Sequence, residues 1–187
     1  MFSKNFFIKP IKRPVDWHRI RLLILDCDGV LTDGKIIYGT AGMDIKHFDA
    51  HDGMGFMLLR MTDVKVAIIT GRSSEALISR CKDLLIEHLF QGVSDKLGCM
   101  NDLLDELGLS QDQVVYMGDD WNDAACMRRV AFSAVPANAL PEIKKIADHV
   151  TQAYGGHGAV RELINYLLTK KGTYEKAVLD FLKETNG

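Results

Sequence analysis

Five short runs of almost unbroken hydrophobicity recur along the chain: LLILD at 22 to 26, VKVAIIT at 64 to 70, HLFQGV at 88 to 93, QVVYMGD at 113 to 119 and FSAVP at 132 to 136. Helical stretches alternate with them near 52 to 63, 73 to 85, 96 to 107 and 122 to 130, and two more follow near 139 to 147 and 158 to 170. A strand that is apolar at every position needs cover on both faces. The alternation therefore predicts an α/β fold, a Rossmann-like parallel sheet with helices on both faces. Asp52, Ser73 and Asp95 are the expected helix N-caps, and Gly108 the expected C-terminal stop. With 187 residues, 47% of them hydrophobic, the chain can bury one sizeable core, so a single domain over 1–187 is expected.

One segment departs from the alternation. KIIYGTAGMDIKHF, residues 35–48, carries two strand-like runs around a Gly-Thr-Ala-Gly centre and reads as a β-hairpin projecting from the first strand. Its apolar edges need cover, which a second copy of the chain supplies most simply. Residues 1–20 read as an N-terminal arm whose FFI cluster is too brief for a signal sequence or a membrane span, which predicts a cytoplasmic protein. Helix-like sequence continues after YGGHG into a C-terminal tail, 171–187. A net charge of −2 with scattered basic residues leaves no nucleic-acid footprint, so small-molecule chemistry is the better expectation. Cys27, Cys81, Cys99 and Cys126 lack metal-site spacing and read as reduced core thiols.

In an open parallel sheet, ligands bind beyond the carboxyl ends of the strands. The chemically suggestive residues stand there. Asp26 and Asp28 follow the first strand, Thr70, Gly71 and Arg72 the second, Asp95 and Lys96 lie beyond the third, and Asp119 and Asp120 end the fourth. Clustered carboxylates repel one another unless a cation sits between them, and Mg²⁺ prefers such oxygens. A cation among Asp26, Asp119 and the Asp28 loop would attract an anion, and Lys96 with the Thr70 hydroxyl would complete a phosphate cradle. Asp26 is then placed to act as a nucleophile and Asp28 to move protons. Asp33 leads into the hairpin and reads as a turn former.

These residues resemble the haloacid dehalogenase superfamily. Its four motifs are matched in order by DCDGVL, AIITGR, the lysine of SDK, and GDDWND. Within it, DCDGVLTDG, FDAHDGMG, VAIITGRSS, FQGVSDK and GGHGAVRE resemble the capless 3-deoxy-D-manno-octulosonate 8-phosphate phosphatase family, and the stretch between Asp28 and Gly71 leaves no room for a covering domain. The resemblance implies a Mg²⁺-dependent phosphatase that cleaves a sugar-acid phosphate through an aspartyl phosphate, on the route to lipopolysaccharide. It further implies a homotetramer built through the hairpins, with no nucleic-acid or membrane partner.

Carried over by residue, the resemblance gives Asp26, Asp28, Thr70 and Lys96 as catalytic, and Asp26, Asp28 through its backbone carbonyl, and Asp119 as metal ligands. Substrate contacts fall on Asp28, Asp49, Ala50, His51, Asp52, Gly53, Arg72, Arg80 and Lys96, and Asp123 orients Lys96 or the metal shell. His51, Met57 and His157 stand where that family commonly has arginine. Losing an arginine fork weakens the grip on a sugar acid's carboxylate while leaving the chemistry intact. Acylneuraminate or deaminated neuraminate 9-phosphate is therefore the near alternative substrate. A phosphate-binding module without turnover, or a receiver that stores the phosphoryl group, is the alternative of another class, and Asp28 favours hydrolysis over both.

Overall fold

A computed structural model describes residues 8–11, 14–38 and 44–186. The predicted arm and the hairpin tip therefore lie partly outside the described residues. Each apolar run forms a strand: β1 (Leu22–Leu25), β4 (Lys65–Ile69), β5 (His88–Phe90), β6 (Val114–Met117) and β7 (Phe132–Val135). With β8 (His149–Val150) they make one parallel sheet in the order β5, β4, β1, β6, β7, β8. The sequence reading missed β8. A two-residue edge strand offers no periodicity, and β8 exists through its register with Ala134 and Val135.

Helices cover both faces. Leu23 and Leu25 point to one side, where α1 (Ala50–Arg60), α2 (Glu75–Leu84), α6 (Ala159–Lys171) and α7 (Tyr174–Asn186) supply Phe56, Leu77, Leu163 and Ala177. Leu22 and Ile24 point to the other, against Met100, Met127 and Ile143 of α3 (Lys96–Leu107), α4 (Ala124–Met127) and α5 (Pro141–Ile146). The C-terminal segment is not a loose tail. Gly172, at φ 72°, breaks the helical run, and α7 packs Ala177, Val178 and Phe181 back onto the core.

Two expected caps move. Asp49, not Asp52, caps α1 by accepting from the His51 amide at 2.6 Å, and Ser74, not Ser73, caps α2 through the Leu77 amide at 3.2 Å. Asp95 caps α3 through Gly98 at 3.0 Å, and Gly108 ends that helix at φ 63°, both as the sequence predicts. Asp52 lies in the first turn of α1 and is buried, and its Oδ1 accepts from the Arg161 amide at 2.6 Å at the start of α6. Burial raises Asp52 to about 6, against the pull of that amide bond.

Two further strands, β2 (Ile37–Tyr38) and β3 (Asp44–Ile45), pair antiparallel as a separate ribbon, with Ile37 opposite Ile45. Ile36, Ile37 and Ile45 remain exposed on it. At its entry Asp33 accepts from the Lys35 amide at 3.1 Å, which makes it the turn former expected. All four cysteines are free, and three of them are buried.

Candidate active site

Strand order reverses between β1 and β6: from β1 the chain steps outward through β4 and β5, then returns to β6 on the other side. Side chains leaving these two central strands meet at their carboxyl ends. Asp26 follows β1, its amide donating to the Met117 carbonyl at 3.0 Å, and Asp119 follows β6. Thr70 continues β4, buried, its amide bonded to the Phe90 carbonyl at 2.9 Å.

Lys96, in the first turn of α3, is buried between two carboxylates. Its Nζ lies 2.9 Å from Asp26 Oδ1 and 2.8 Å from Asp123 Oδ1. Burial alone would lower the lysine, but Asp123 and Asp26 outweigh it and hold the ammonium charged. Asp123 is wholly buried and fully bonded. Its Oδ1 also accepts from the Tyr116 hydroxyl at 2.7 Å, and its Oδ2 accepts from the amides of Asp119 at 3.1 Å and Asp120 at 3.4 Å. Asp123 therefore orients Lys96 and the loop that carries Asp119. Sequence reasoning missed Tyr116, because an aromatic inside an apolar strand reads as core and its hydroxyl gives no periodic signal.

Asp26, Asp119 and Asp123 each bring a carboxylate oxygen within 4.8 Å of one another. Burial, with Asp123 next in weight, pushes Asp26 up to about 7 and Asp119 up to about 8. Asp119 Oδ1 is buried without a hydrogen-bond partner. A hard divalent cation suits both observations, being a partner for the orphaned oxygen and a counter-charge for the crowded acids. Asp26 and Asp119 would hold it, since the oxygens of Asp123 are already committed. Gly29 makes the approach possible: at φ +90°, any β-carbon there would lie 2.1 Å from Asp119 Oδ2.

The raised values fix the sign of a pH effect. In the metal-free chain the ionised acids oppose folding, so stability increases as pH falls through about 8 and then about 7. Mg²⁺ requires both carboxylates ionised. Calorimetry is expected to show a Mg²⁺-induced rise in melting temperature that is largest at or above pH ~8.5 and fades toward pH ~6. An equal rise at both values would contradict this ligand pair.

The carboxylate of Asp28 does not join this cluster. Its Oδ1 accepts from Lys46 and its Oδ2 lies 3.9 Å from Arg72 Nε. A third group forms at the start of α1. Arg80 donates to the Asp49 carbonyl at 3.1 Å and stacks over Phe48, and Gly53 makes room, since a β-carbon there would meet Arg80 Nη2 at 2.6 Å. Ala50 and His51 are exposed beside it, with His51 Nδ1 3.5 Å from Asp49 Oδ1. Met57 Sδ accepts from Arg60 at 3.4 Å.

The YGGHG loop has a closer role than its sequence indicates. The Gly156 amide donates to the Val30 carbonyl at 3.1 Å, so the loop lies directly on the turn that carries Asp26 and Asp28. A β-carbon at Gly155 would stand 1.8 Å from the Gly29 carbonyl oxygen and 3.0 Å from that of Thr32. Backbone cannot yield as a side chain does. Gly155→Ala is expected to lower the melting temperature by at least about 5 °C in a thermal melt, and an unchanged melt would contradict this packing.

A profile of the haloacid dehalogenase-like hydrolases matches residues 77–163. Over 158 residues, 84% of either protein, the chain is 45% identical to the 3-deoxy-D-manno-octulosonate 8-phosphate phosphatase of Escherichia coli. The crystal structure of the phosphatase of that name from Yersinia pestis is similar with a TM-score of 0.83 at 43% identity, covering 85% of this chain and 86% of that one. The Moraxella catarrhalis phosphatase, solved with a magnesium ion, a phosphate ion and a KDO molecule, gives a TM-score of 0.85 at 35% identity over 88% and 95% of the two chains.

Proposed function

Since the chain belongs to the 3-deoxy-D-manno-octulosonate 8-phosphate phosphatase family of haloacid dehalogenase-like hydrolases, we propose that it hydrolyses that sugar-acid phosphate using Asp26 as nucleophile. One observation carries the assignment of Asp26: a buried carboxylate at the end of the central strand, braced by Lys96, beside an acid with an orphaned oxygen.

In this reading an Asp26 oxygen attacks phosphorus while the bond from phosphorus to the ester oxygen breaks. Asp28 gives its proton to that departing oxygen, leaving the free sugar acid and an aspartyl phosphate. Asp28, now ionised, takes a proton from water as the water attacks the phosphoryl group. Phosphate leaves and Asp26 is restored. Lys96 and the Thr70 hydroxyl hold the phosphoryl oxygens as charge shifts among them. Asp26, Asp119 and the Asp28 backbone carbonyl would hold Mg²⁺, which would neutralise charge on the phosphate. Its requirement follows from the family and from the acid cluster.

Arg72, Arg80 and residues Asp49 to Gly53 at the start of α1 receive the sugar acid. His51 and Met57 put no arginine fork there, so the test is a comparison of catalytic efficiency on octulosonate 8-phosphate, acylneuraminate 9-phosphate and common sugar phosphates. Octulosonate 8-phosphate is expected to lead by at least about tenfold. A lead for the nine-carbon substrate would reassign the enzyme within its scaffold, and no turnover of any would favour a phosphate-binding module.

The exposed Ile36, Ile37 and Ile45 on the β2–β3 ribbon support assembly through this element into a homotetramer. Sedimentation at micromolar concentration is expected to give a tetramer, and Ile37→Lys with Ile45→Lys a smaller species. A wild-type monomer would remove the proposal. No described helix is long and apolar enough to cross a membrane, and the cytoplasm fits a family that acts on a small sugar-acid phosphate.

A further inference from the structure

A lysine side chain buried away from water needs a hydrogen-bond acceptor for its terminal nitrogen. Lys46 follows β3 on the return limb of the ribbon, between the exposed Ile45 and His47. Its side chain is only 7% exposed, and its Nζ is hydrogen-bonded to Oδ1 of Asp28, 18 positions earlier in the chain. The opposite oxygen of that carboxylate faces Arg72 Nε at 3.9 Å, from the turn after β4. Asp28 itself sits in a turn with its side chain 19% exposed, and these contacts to its carboxylate come from outside its own loop.

Lys96 already contacts the nucleophile, 2.9 Å from Asp26 Oδ1. Lys46 does a different job, since its partner is the acid. We propose that Lys46 is a positioning residue: by binding Oδ1 it fixes the Asp28 side chain so that Oδ2 carries the proton given to the departing oxygen and regained from the attacking water, so the ribbon carries part of the acid/base device. This rests on the phosphatase reading, with Asp28 as the acid. It assigns the ribbon a part in the chemistry beyond any part in assembly.

The two steps at Asp28 allow a selective test. A sugar alkoxide is a poor leaving group and needs its proton, whereas p-nitrophenolate departs without one. Lys46→Met keeps the length of the side chain and removes its charge. Release of the leaving group in a single turnover, before water enters, is measured for octulosonate 8-phosphate and for p-nitrophenyl phosphate, with Mg²⁺ and the full chain. In Lys46→Met the sugar rate is expected to fall about 100-fold, and the ratio of sugar to nitrophenyl rates by at least about 30-fold. Lys46→Arg restores that ratio to within roughly threefold.

A folding defect or a lost phosphate contact lowers both rates together and leaves the ratio unchanged. Equal losses on both substrates, or no loss on either, would therefore overturn the role given to Lys46. Wild-type protein that released neither leaving group would overturn the phosphatase reading itself.

Discussion

Replacing Asp26 by Asn is expected to reduce phosphate release by roughly 10⁴- to 10⁶-fold, the range seen when members of a catalytic nucleophile's machinery are removed. The fold survives, because Asn keeps the Oδ1 atom that accepts from the Cys27 amide at 2.7 Å and lies 2.9 Å from Lys96 Nζ. The substitution also removes an ionised group that burial disfavours. The melting temperature of the metal-free variant is therefore expected to be no lower than that of the wild type. Turnover within about tenfold of wild type, in protein that melts normally, would remove Asp26 from the role of nucleophile.

Lys96→Met has the opposite signature, because it damages the fold as well as the chemistry. The lysine is the cation that faces both Asp26 and Asp123, and neither acid is open to water. Removing one partner of a buried ion pair costs about 3–5 kcal/mol, since the remaining charges stay desolvated and repel. For a chain of this size that corresponds to a fall in melting temperature of roughly 10 °C. Mg²⁺ is expected to restore part of the loss by supplying positive charge between Asp26 and Asp119. A melt that stayed within about 2 °C of wild type without metal would contradict the stabilising role given to Lys96 between the two acids.

Much of this architecture is legible in the sequence because local and global signals agree. The apolar runs become strands since a strand with both faces covered has no other composition, and the acids fall at their carboxyl ends because the turns begin there. Asp26, Thr70, Lys96 and Asp119 were reachable by that logic, reinforced by the order of the motifs. The missed features depend on contacts between distant segments. Lys46 reaches Asp28 only after the ribbon folds back, Gly155 meets Gly29 across most of the chain, and Tyr116 hides a polar tip inside a core strand.

The caps went astray for a related reason. In FDAHDG two aspartates compete for the start of α1, and local rules do not separate them. Packing does: Asp52 is drawn under the first turn of α6, and Asp49 is left to cap its own helix. A substrate-contact role for Asp52 would have to coexist with that bond.

Location of the phosphoryl group is the most direct test of the account. The chain, mixed with octulosonate 8-phosphate and Mg²⁺ and quenched in acid during turnover, is expected to carry one phosphoryl group on the peptide containing Asp26, labile to hydroxylamine and absent from the Asp26→Asn variant. Turnover with a phosphoryl group on another residue, or with none trapped in wild type and in Asp28→Asn protein alike, would contradict the covalent route through Asp26.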